Sequence, residues 1–519
     1  MPLGDFLIEN VELIPDKEAV VCGNKRLTWK ELNDRANCMG NALIDMGIKK
    51  GDKVAVLMYN QPEFIETLFA MHKTGIAPAP VNYRYVGEEI EYIVGGSDSV
   101  ALIFVDEFLE TVRSIQPKLS KVKNFICVGK SPDDMIDYEE LVQKYPNTPP
   151  DVEVTDDDIA CVYYTGGTTG MPKGAVLLHD NIMKDIPAIF GKIMSDPRKS
   201  KQSGSKSQKM LLGTPLFHEA AYGVLIAAFL TGSTSILLTG KKFDPVELME
   251  TIDRETVNWV LIVPTMTKRL LELPNIGDYN VRSWGILVST GMVFPAALKK
   301  KFLETFRRVV IVDAYGQTEL SPLAMVEIST YASRNKIKDR CIGTPVDVIE
   351  AKVVNERGED VKPGETGELV LKGDIILKEY YGDAKKTSER IKDDGWYHTG
   401  DLCTVGDDGK FYIAERKEET IISGGEKIYP HEIEEMILTN PKVREAAVIA
   451  VPDPNWGQSG RAIIQLKDGE KATEEEIIDF LKGKIAGYKK PRSVVFVEEF
   501  EMNAIGKVLR GPLREKYGN

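Results

Sequence analysis

The chain has 519 residues, which is too long for one ordinary hydrophobic core, so two to four structural units are expected. Hydrophobic residues make up 43% and charged residues 28%, proportions that match a globular protein in water. The net charge of −13 disfavours general binding to nucleic acid, so local positive groups would have to hold any anionic ligand.

The six cysteines are scattered, with no Cys-x-x-Cys pair and no histidine nearby at metal-ligand spacing. They are expected to be reduced and mostly buried, without structural zinc. The first residues lack the layout of a signal peptide, and no apolar run approaches the ~18 residues of a membrane-spanning helix. These features predict a cytoplasmic protein without a transmembrane segment.

Helical and strand patterns alternate through the first two thirds of the chain. An amphipathic helix is predicted from Trp29 to about Met46, and a second from about Pro62 to just before Gly75. Strands are predicted at residues 53–58, 101–105, 125–128, 161–164, 234–238, 259–263, 286–289 and 309–313. Helical segments lie between most of these strands, which predicts an α/β fold with parallel, doubly wound sheets.

The pattern changes near Gly343, where short strands and Gly-rich turns begin. They predict a small, mostly antiparallel, barrel-like unit over residues 343–416. The tail mixes strands with helices at 431–439, 474–485 and 513–517, which predicts a separate α+β domain. The predicted domains therefore span 1–417 and 418–519. Residues 196–209 carry five basic residues among Ser, Gln and Gly and predict a surface loop of unassigned role.

A loop rich in glycine and threonine follows the predicted strand 161–164. Six successive residues bring backbone N–H groups and hydroxyls together as a phosphate nest does: Thr165, Gly166, Gly167, Thr168, Thr169 and Gly170. Lys173 adds a mobile positive charge. The spacing is not that of a Walker A loop. A plain surface turn is the alternative interpretation of this cluster taken alone.

Four further motifs follow in chain order: Asp313-Ala314-Tyr315-Gly316-Gln317-Thr318-Glu319, residues 395–401, residues 422–430, and Gly506-Lys507. With the Gly/Thr loop they resemble the signature motifs of the adenylate-forming superfamily, and most of all those of AMP-forming acyl-CoA synthetases. Luciferases and peptide-synthetase adenylation domains belong to the same superfamily. The resemblance runs from Leu27 to Arg510. Gly166 departs from it, because a serine is usual there and supplies a hydroxyl to pyrophosphate.

The resemblance implies that the chain binds ATP and Mg²⁺. Residues 165–173 would cradle pyrophosphate, Thr318 would donate to the α-phosphate and Glu319 would hold Mg²⁺. Tyr315 would offer its ring to adenine. The remaining residues of the nucleotide block are Asp313, Ala314, Gly316 and Gln317. Asp401 is the expected acceptor of both ribose hydroxyls, and Arg416 is a second ribose or phosphate contact.

Lys507 is implied as the catalytic lysine that reaches between the acid carboxylate and the α-phosphate. In acyl-CoA synthetases the C-terminal domain rotates after adenylation, about a hinge residue that matches Glu418, where Asp or Lys is usual. The implied coenzyme A tunnel contains Gly424, Gly425, Lys427 and Trp456. The sequence does not identify the residues that bind the 3′-phosphate of coenzyme A.

The acid pocket is predicted around His218, which follows Phe217 where amino-acid-activating relatives tend to place an aspartate. The Phe-His pair resembles acyl- and aryl-CoA ligases; a packed histidine is the alternative. The full set of predicted pocket residues is His218, Tyr222, Gly223, Ser289, Thr290, Gly291 and Met292. A hydrophobic pocket discriminates between acids by only ~1–3 kcal/mol per methylene. The sequence therefore does not decide between a fatty, an alicyclic and an aryl acid as substrate.

The sequence therefore predicts ATP-dependent activation of a carboxylic acid to an acyl-adenylate, followed by thioester formation with coenzyme A. AMP and pyrophosphate would be released. One alternative is an adenylating enzyme that loads a carrier protein. Another is a nucleotide-binding acyl sensor without turnover, which the presence of Glu319, Asp401 and Lys507 disfavours. The sequence does not decide whether the protein is a monomer or a homodimer.

Overall fold

The computed structural model describes residues 2–165, 172–193, 208–423, 426–502 and 507–518. The chain divides into two compact units. The first takes in Met1–Gly166, Met171–Glu350 and Lys372–Tyr397, and the second takes in Ala351–Leu371 and His398–Asn519. The predicted boundary between residues 417 and 418 stays a prediction.

The first unit contains most of the helices and strands. Its helices are α1 (Asp5–Leu13), α2 (Trp29–Asp45), α3 (Pro62–Thr74), α4 (Gly87–Gly96), α5 (Leu109–Ile115), α6 (Tyr138–Lys144), α7 (His179–Ile193), α8 (Glu219–Thr231), α9 (Pro245–Glu255), α10 (Pro264–Leu270), α11 (Ala296–Thr305) and α12 (Ala384–Arg390). Its strands are β1 (Glu18–Cys22), β2 (Lys25–Thr28), β3 (Lys53–Leu57), β4 (Ala77–Pro80), β5 (Ser99–Val105), β6 (Asn124–Val128), β7 (Ile136–Asp137), β8 (Ile159–Thr165), β9 (Lys173–Leu178), β10 (Lys209–Leu212), β11 (Thr234–Leu237), β12 (Trp259–Leu261), β13 (Ile286–Ser289), β14 (Val310–Tyr315), β15 (Met325–Ser329), β16 (Cys341–Pro345) and β19 (Glu379–Tyr380).

Two largely parallel sheets in this unit confirm the predicted α/β class. One has the strand order β4-β3-β5-β6-β7, with all neighbours parallel. The other runs β2-β1-β11-β10-β12-β13-β14-β15-β16 and is parallel from β1 to β14. A smaller antiparallel sheet has the order β19-β9-β8. Parallel strands end at one edge of their sheet, and the predicted nucleotide motif follows β14 at such an edge.

Local signals place several elements where the sequence predicts them. Helix α2 begins at Trp29 because Thr28 and Glu31 form a reciprocal capping box. Helix α3 ends at Thr74 because Gly75 adopts a left-handed conformation with φ of 65°. Strand β13 matches the predicted range 286–289, since its apolar run is buried between neighbouring strands.

The second unit contains two groups of strands and three helices among its described residues. They are β17 (Ile349–Val354), β18 (Gly367–Gly373), β20 (Tyr397–Val405), β21 (Phe411–Arg416), β22 (Ile421–Ser423), β23 (Glu426–Ile428), β24 (Val443–Asp453), β25 (Gly457–Leu466), β26 (Ser493–Phe496), α13 (Pro430–Leu438), α14 (Glu474–Phe480) and α15 (Arg510–Tyr517). The first group has the order β17-β18-β20-β21, with β20 and β21 antiparallel. The second has the order β23-β22-β25-β24, and β26 lies parallel to β25.

The C-terminal residues from 418 onward contain both helices and strands, as predicted, but one predicted helix is shorter than expected. The helix predicted over 474–485 ends at Phe480, because tighter turns replace the α-helical pattern from Leu481 onward. The long β24–β25 pair has no counterpart among the predicted strands. All six cysteines are in the thiol form. Within the described part of the chain, every helix is too short or too polar to cross a membrane.

Candidate active site

The end of β14 and the turn after it hold the predicted adenine and phosphate block, and residues 313–320 are called the nucleotide turn below. Gly316 lies so close to the chain that an added Cβ would be 1.8 Å from the carbonyl oxygen of Pro322. Only glycine fits this position. Tyr315, Thr318 and Glu319 follow in half-buried positions. The turn therefore presents an aromatic ring, a hydroxyl and a carboxylate at the end of a parallel sheet.

Two tyrosines hold the side chains of the nucleotide turn. Tyr380 donates a hydrogen bond of 2.8 Å from its hydroxyl to Oε1 of Glu319, and the backbone N–H of Leu377 donates to the Glu319 carbonyl. Tyr397 donates a bond of 2.9 Å to Oε1 of Gln317. Burial and the negative charge of Glu319 raise the pKa of Tyr380, which therefore keeps its proton. Glu319 is fixed in place by donors from a distant part of the chain.

Asp313 begins the nucleotide turn in a buried ion pair. Nζ of Lys299 lies 2.6 Å from its carboxylate, and the Lys299 side chain is 1% exposed. Burial raises the pKa of Asp313 to about 6, against the opposing attraction of Lys299. Ala314 is buried within β14. This pairing indicates a structural contribution of Asp313, so its predicted contact with the nucleotide stays a prediction.

The Gly/Thr loop is bounded by two strands. Thr165 ends β8 opposite Lys173, the first residue of β9, and its hydroxyl lies 3.5 Å from the Lys173 carbonyl. Nζ of Lys173 lies 2.8 Å from Asp383, on the wall of a cleft of about 430 Å³. Gly166, Gly167, Thr168, Thr169 and Gly170 lie outside the described residues, as do Gly424, Gly425, Gly506 and most of the basic loop.

Residues 214–223 and 289–292, called the acid wall below, contain the predicted acid pocket. Asn60 bonds to both the Thr214 carbonyl and the Leu216 N–H and so holds the segment before α8. His218 precedes α8 and packs against Phe217 with ring centroids 4.5 Å apart. Burial, and then the charge of Arg84, lower the pKa of His218 to about 4. His218 is therefore a neutral imidazole at pH 7.

The other pocket residues lie on α8 and after β13. The hydroxyl of Tyr222 lies 2.9 Å from Nε2 of His72 in the buried interior. A Cβ added to Gly223 would lie 3.0 Å from Cγ of Pro322. Ser289 pairs with Asp313 across β13 and β14, so the acid wall and the nucleotide turn start at neighbouring strand ends. Thr290 is buried, Gly291 has φ of 86°, and Met292 is half-buried.

The second unit contains the predicted ribose residues. Asp401 and Arg416 face each other across β20 and β21, with Nε of Arg416 at 2.7 Å from Oδ1 of Asp401. Asp401 is 1% exposed, and its N–H bonds to the Thr399 hydroxyl. The predicted pair is therefore brought together. Lys507 is half-buried, one residue before a β-bridge between Met502 and Val508.

Three more predicted residues of this unit lie at its surface. Glu418 is exposed in a short 3₁₀ turn after Arg416. Lys427 forms an ion pair of 2.9 Å with Glu356. Trp456 is 47% exposed, with the Arg492 guanidinium 5.5 Å from its ring centroid. An exposed indole beside a cation is accessible to a flat, anionic group such as a nucleotide.

Sequence reasoning missed Tyr380, Tyr397 and Lys299, which hold the nucleotide turn. It also passed over Glu219, a buried carboxylate beside His218. A signal for Glu219 was present, because a charged residue at the start of the otherwise apolar helix α8 needs an explanation. Tyr397 lies within the predicted motif 395–401, but its contact with Gln317 was not predicted. For Tyr380 and Lys299, nothing in the local sequence marks the contact.

The comparisons with known proteins agree over the whole chain. The family model described as "AMP-binding enzyme" matches residues 7–381, and the model described as "AMP-binding enzyme C-terminal domain" matches residues 432–507. A feruloyl-CoA synthase from Amycolatopsis is 34% identical over 99% of each chain. A medium/long-chain-fatty-acid–CoA/3-oxocholest-4-en-26-oate–CoA ligase from Mycobacterium marinum is 31% identical over 97% of this chain and 94% of its own. The crystal structure of the anthranilate CoA ligase AuaEII with anthranoyl-AMP matches with a TM-score of 0.86 at 26% identity, over 99% of this chain and 97% of that one.

Proposed function

The chain belongs to the AMP-binding enzyme family and is an AMP-forming acid–CoA ligase that uses ATP, Mg²⁺ and coenzyme A, and we propose that its acid is an aryl or a medium- or long-chain fatty acid. The observation that carries this proposal is the position of the acid wall beside the nucleotide turn, at neighbouring ends of β13 and β14. The names of the relatives support the same two acid classes.

The nucleotide turn is the proposed site of acid activation. Thr318 contacts the α-phosphate and Glu319 holds Mg²⁺, for which a hard oxygen ligand fixed by Tyr380 is suitable. When bound, Mg²⁺ neutralises phosphate charge during displacement of pyrophosphate. Glu319 and its tyrosine are fixed before substrate binds, so little reorganisation accompanies the reaction.

The second unit supplies the proposed ribose and lysine contacts. Asp401 accepts the ribose hydroxyls, and Arg416 orients the Asp401 carboxylate through their ion pair. Lys507 neutralises the approaching acid carboxylate and α-phosphate in the adenylation step. Lys427 and Trp456 contact coenzyme A in the second step. Glu418 is the proposed hinge residue.

The acid wall is proposed to hold the acyl group of the substrate. Neutral His218 places an uncharged ring beside the predicted carbonyl position, and Gly291 leaves room because it carries no side chain. A cytoplasmic location is also proposed, because six cysteines in the thiol form suit a reducing compartment.

The test is release of AMP and pyrophosphate over a panel of aryl and fatty acids, each with and without coenzyme A. We expect AMP release that depends on coenzyme A, together with the matching thioester detected by mass spectrometry. Thioester formed only from acids outside both classes would overturn the proposed acid class. Acyl transfer to carrier-protein phosphopantetheine and not to coenzyme A would point to the carrier-loading alternative.

The role of Lys507 is tested by separating the two steps. The Lys507→Ala variant should lose roughly 100- to 1,000-fold in acid-dependent exchange of pyrophosphate into ATP, the scale for removal of one preorganised charge. It should still convert a supplied acyl-adenylate to the thioester. Lys482→Ala, at an exposed lysine paired with Asp479, is the matched control. Equal loss in both steps would contradict a role restricted to adenylation.

A further inference from the structure

Glu219 is a buried carboxylate without a protein partner. It is the first residue of α8, directly after His218, and it is 3% exposed. Neither carboxylate oxygen has a hydrogen-bond partner among the described residues. A buried polar group left without a partner costs far more than a hydrogen-bonded one, so such a group calls for a ligand or another explanation.

Glu219 lies within the acid wall, directly after His218. Residues 219 and 223 lie one turn apart on the same face of α8. A Cβ at Gly223 would lie 3.0 Å from Pro322 and 3.3 Å from Ile186 of α7. The α8 face that carries Glu219 is therefore packed between α7 and the segment just after the nucleotide turn.

Asp185, the neighbour of Ile186, brings a second carboxylate to this place. It is fully buried, and its Oδ2 accepts a bond of 3.3 Å from the Leu323 N–H. Its Oδ1 has no partner in the described part of the chain. Burial raises the pKa of Glu219, and the charges of Asp185 and then Glu319 raise it further. Both carboxylates are therefore buried where α7 packs against α8.

The other buried carboxylates among the described residues are paired, which argues against a purely structural explanation. Glu66, which is 1% exposed, accepts a bond of 2.8 Å from Arg35 and one of 3.0 Å from Tyr138. Glu434 is paired with Arg510. Among the residues that the structure describes, no cation forms an ion pair with Glu219 or Asp185. No group of three or more acidic, His or Cys side chains in those residues is arranged to hold a metal ion.

We propose that the acid substrate carries a hydrogen-bond donor, a hydroxyl or an amino group, in its acyl part, and that Glu219 binds this donor with the help of Asp185. The inference rests on the proposed function, because it takes the acid wall as the acyl pocket. An acid without the donor leaves Glu219 unpartnered in the complex as well. A site built around a substrate OH or NH rejects analogues that lack it more strongly than an apolar pocket rejects a missing methylene.

The test compares matched acids in CoA-dependent AMP release. Suitable pairs are 4-hydroxycinnamate with cinnamate, 4-aminobenzoate with benzoate, and an ω-hydroxy medium-chain acid with the plain acid. We expect the wild type to favour the donor-bearing member of at least one pair by roughly 10- to 100-fold in kcat/KM. The hydroxyl and amino pairs separate the two kinds of donor.

Variants assign the preference to Glu219. Glu219→Leu should remove the preference, and Glu219→Gln, which keeps one acceptor oxygen, should retain part of it. Glu66→Gln, a change at a buried and paired carboxylate, should leave the ratio of kcat/KM values as in the wild type. A preference that survives in Glu219→Leu would overturn the proposal, and so would a wild type that favours the unsubstituted acid in every pair.

Failure of the proposed function has a different signature, which is absence of thioester with every acid. In that case, binding of the acids to the protein tests the proposal without any need for turnover. With ATP present, the donor-bearing acid should raise the melting temperature of the wild type more than its partner does. That difference should vanish in Glu219→Leu. Equal shifts for both members of every pair would overturn the proposal.

Discussion

The nucleotide turn and the acid wall lie at neighbouring strand ends, yet they differ in how their polar side chains are hydrogen-bonded. In the nucleotide turn, Asp313 is paired with Lys299, Gln317 with Tyr397 and Glu319 with Tyr380. In the acid wall, buried polar atoms lack a partner among the described residues: Oγ1 of Thr214, Nε2 of His218, both carboxylate oxygens of Glu219 and Oγ of Ser289.

The contrast indicates two ways of building a binding surface. A surface whose donors and acceptors are already paired is rigid before ligand binds, which suits a nucleotide shared by a whole enzyme family. A surface with unpaired polar atoms gains its partners from the ligand and so discriminates between ligands. Four predictions test this contrast, from the largest expected effect to the smallest.

The Lys299–Asp313 pair should make the largest contribution to stability. Lys299→Met leaves the Asp313 carboxylate buried and unpaired, which should lower the free energy of unfolding by about 3–5 kcal/mol. Urea denaturation followed by fluorescence measures this value. The double variant Lys299→Met/Asp313→Leu should recover most of the loss, because no buried charge remains. A single variant as stable as the wild type would show that the pair does not hold the turn.

Substitutions of Glu319 and of Tyr380 should both slow the adenylation step, and the loss should be larger for Glu319. Glu319→Gln should slow acid-dependent exchange of pyrophosphate into ATP by roughly 100- to 1,000-fold. Tyr380→Phe should cost roughly 10- to 100-fold and raise the Mg²⁺ concentration needed for half-maximal rate, as loss of a partner of a metal ligand does. An unchanged Mg²⁺ requirement in Tyr380→Phe would separate the tyrosine from the metal.

His218 should make stability depend on pH. Its pKa is about 4 in the folded protein, below the ordinary value of 6.5, so the unfolded chain takes up a proton first as the pH falls. The stability that neutral His218 contributes is complete above pH 6.5 and is lost between pH 6.5 and 4, by up to about 3 kcal/mol. The difference in unfolding free energy between wild type and His218→Asn should shift in favour of the variant over that interval. A constant difference would contradict a buried neutral imidazole.

The smallest effects should come from a matched pair of hydroxyl deletions. Tyr397→Phe removes the hydrogen bond from the Tyr397 hydroxyl to Gln317 and should cost about 1 kcal/mol of stability. Ser289→Ala removes a buried hydroxyl that has no partner in the described residues, so it should leave stability within about 0.5 kcal/mol of the wild type. Thermal unfolding without ligands measures both. Equal losses would remove the distinction between the two regions.

Local sequence patterns were sufficient to predict many of the helices and strands. The capping box at Thr28, the left-handed Gly75 and the buried run of β13 each act over a few residues, so their elements could be predicted within a residue or two. The end of α14 could not, because its helical pattern continues past Phe480 while the chain turns away. The strands β24 and β25 pair residues far apart along the chain, and no local pattern records such a pairing.

By itself the sequence determined which family the chain belongs to and where its motifs lie, because each motif is a run of adjacent residues. Only the tertiary structure decided which partners hold those residues. Tyr380 reaches Glu319 across 61 positions, and the packing of α7 against α8 buries both Asp185 and Glu219. The physical reason is that hydrogen bonds and charge interactions depend on distances of a few ångströms, which packing between elements sets and local sequence does not.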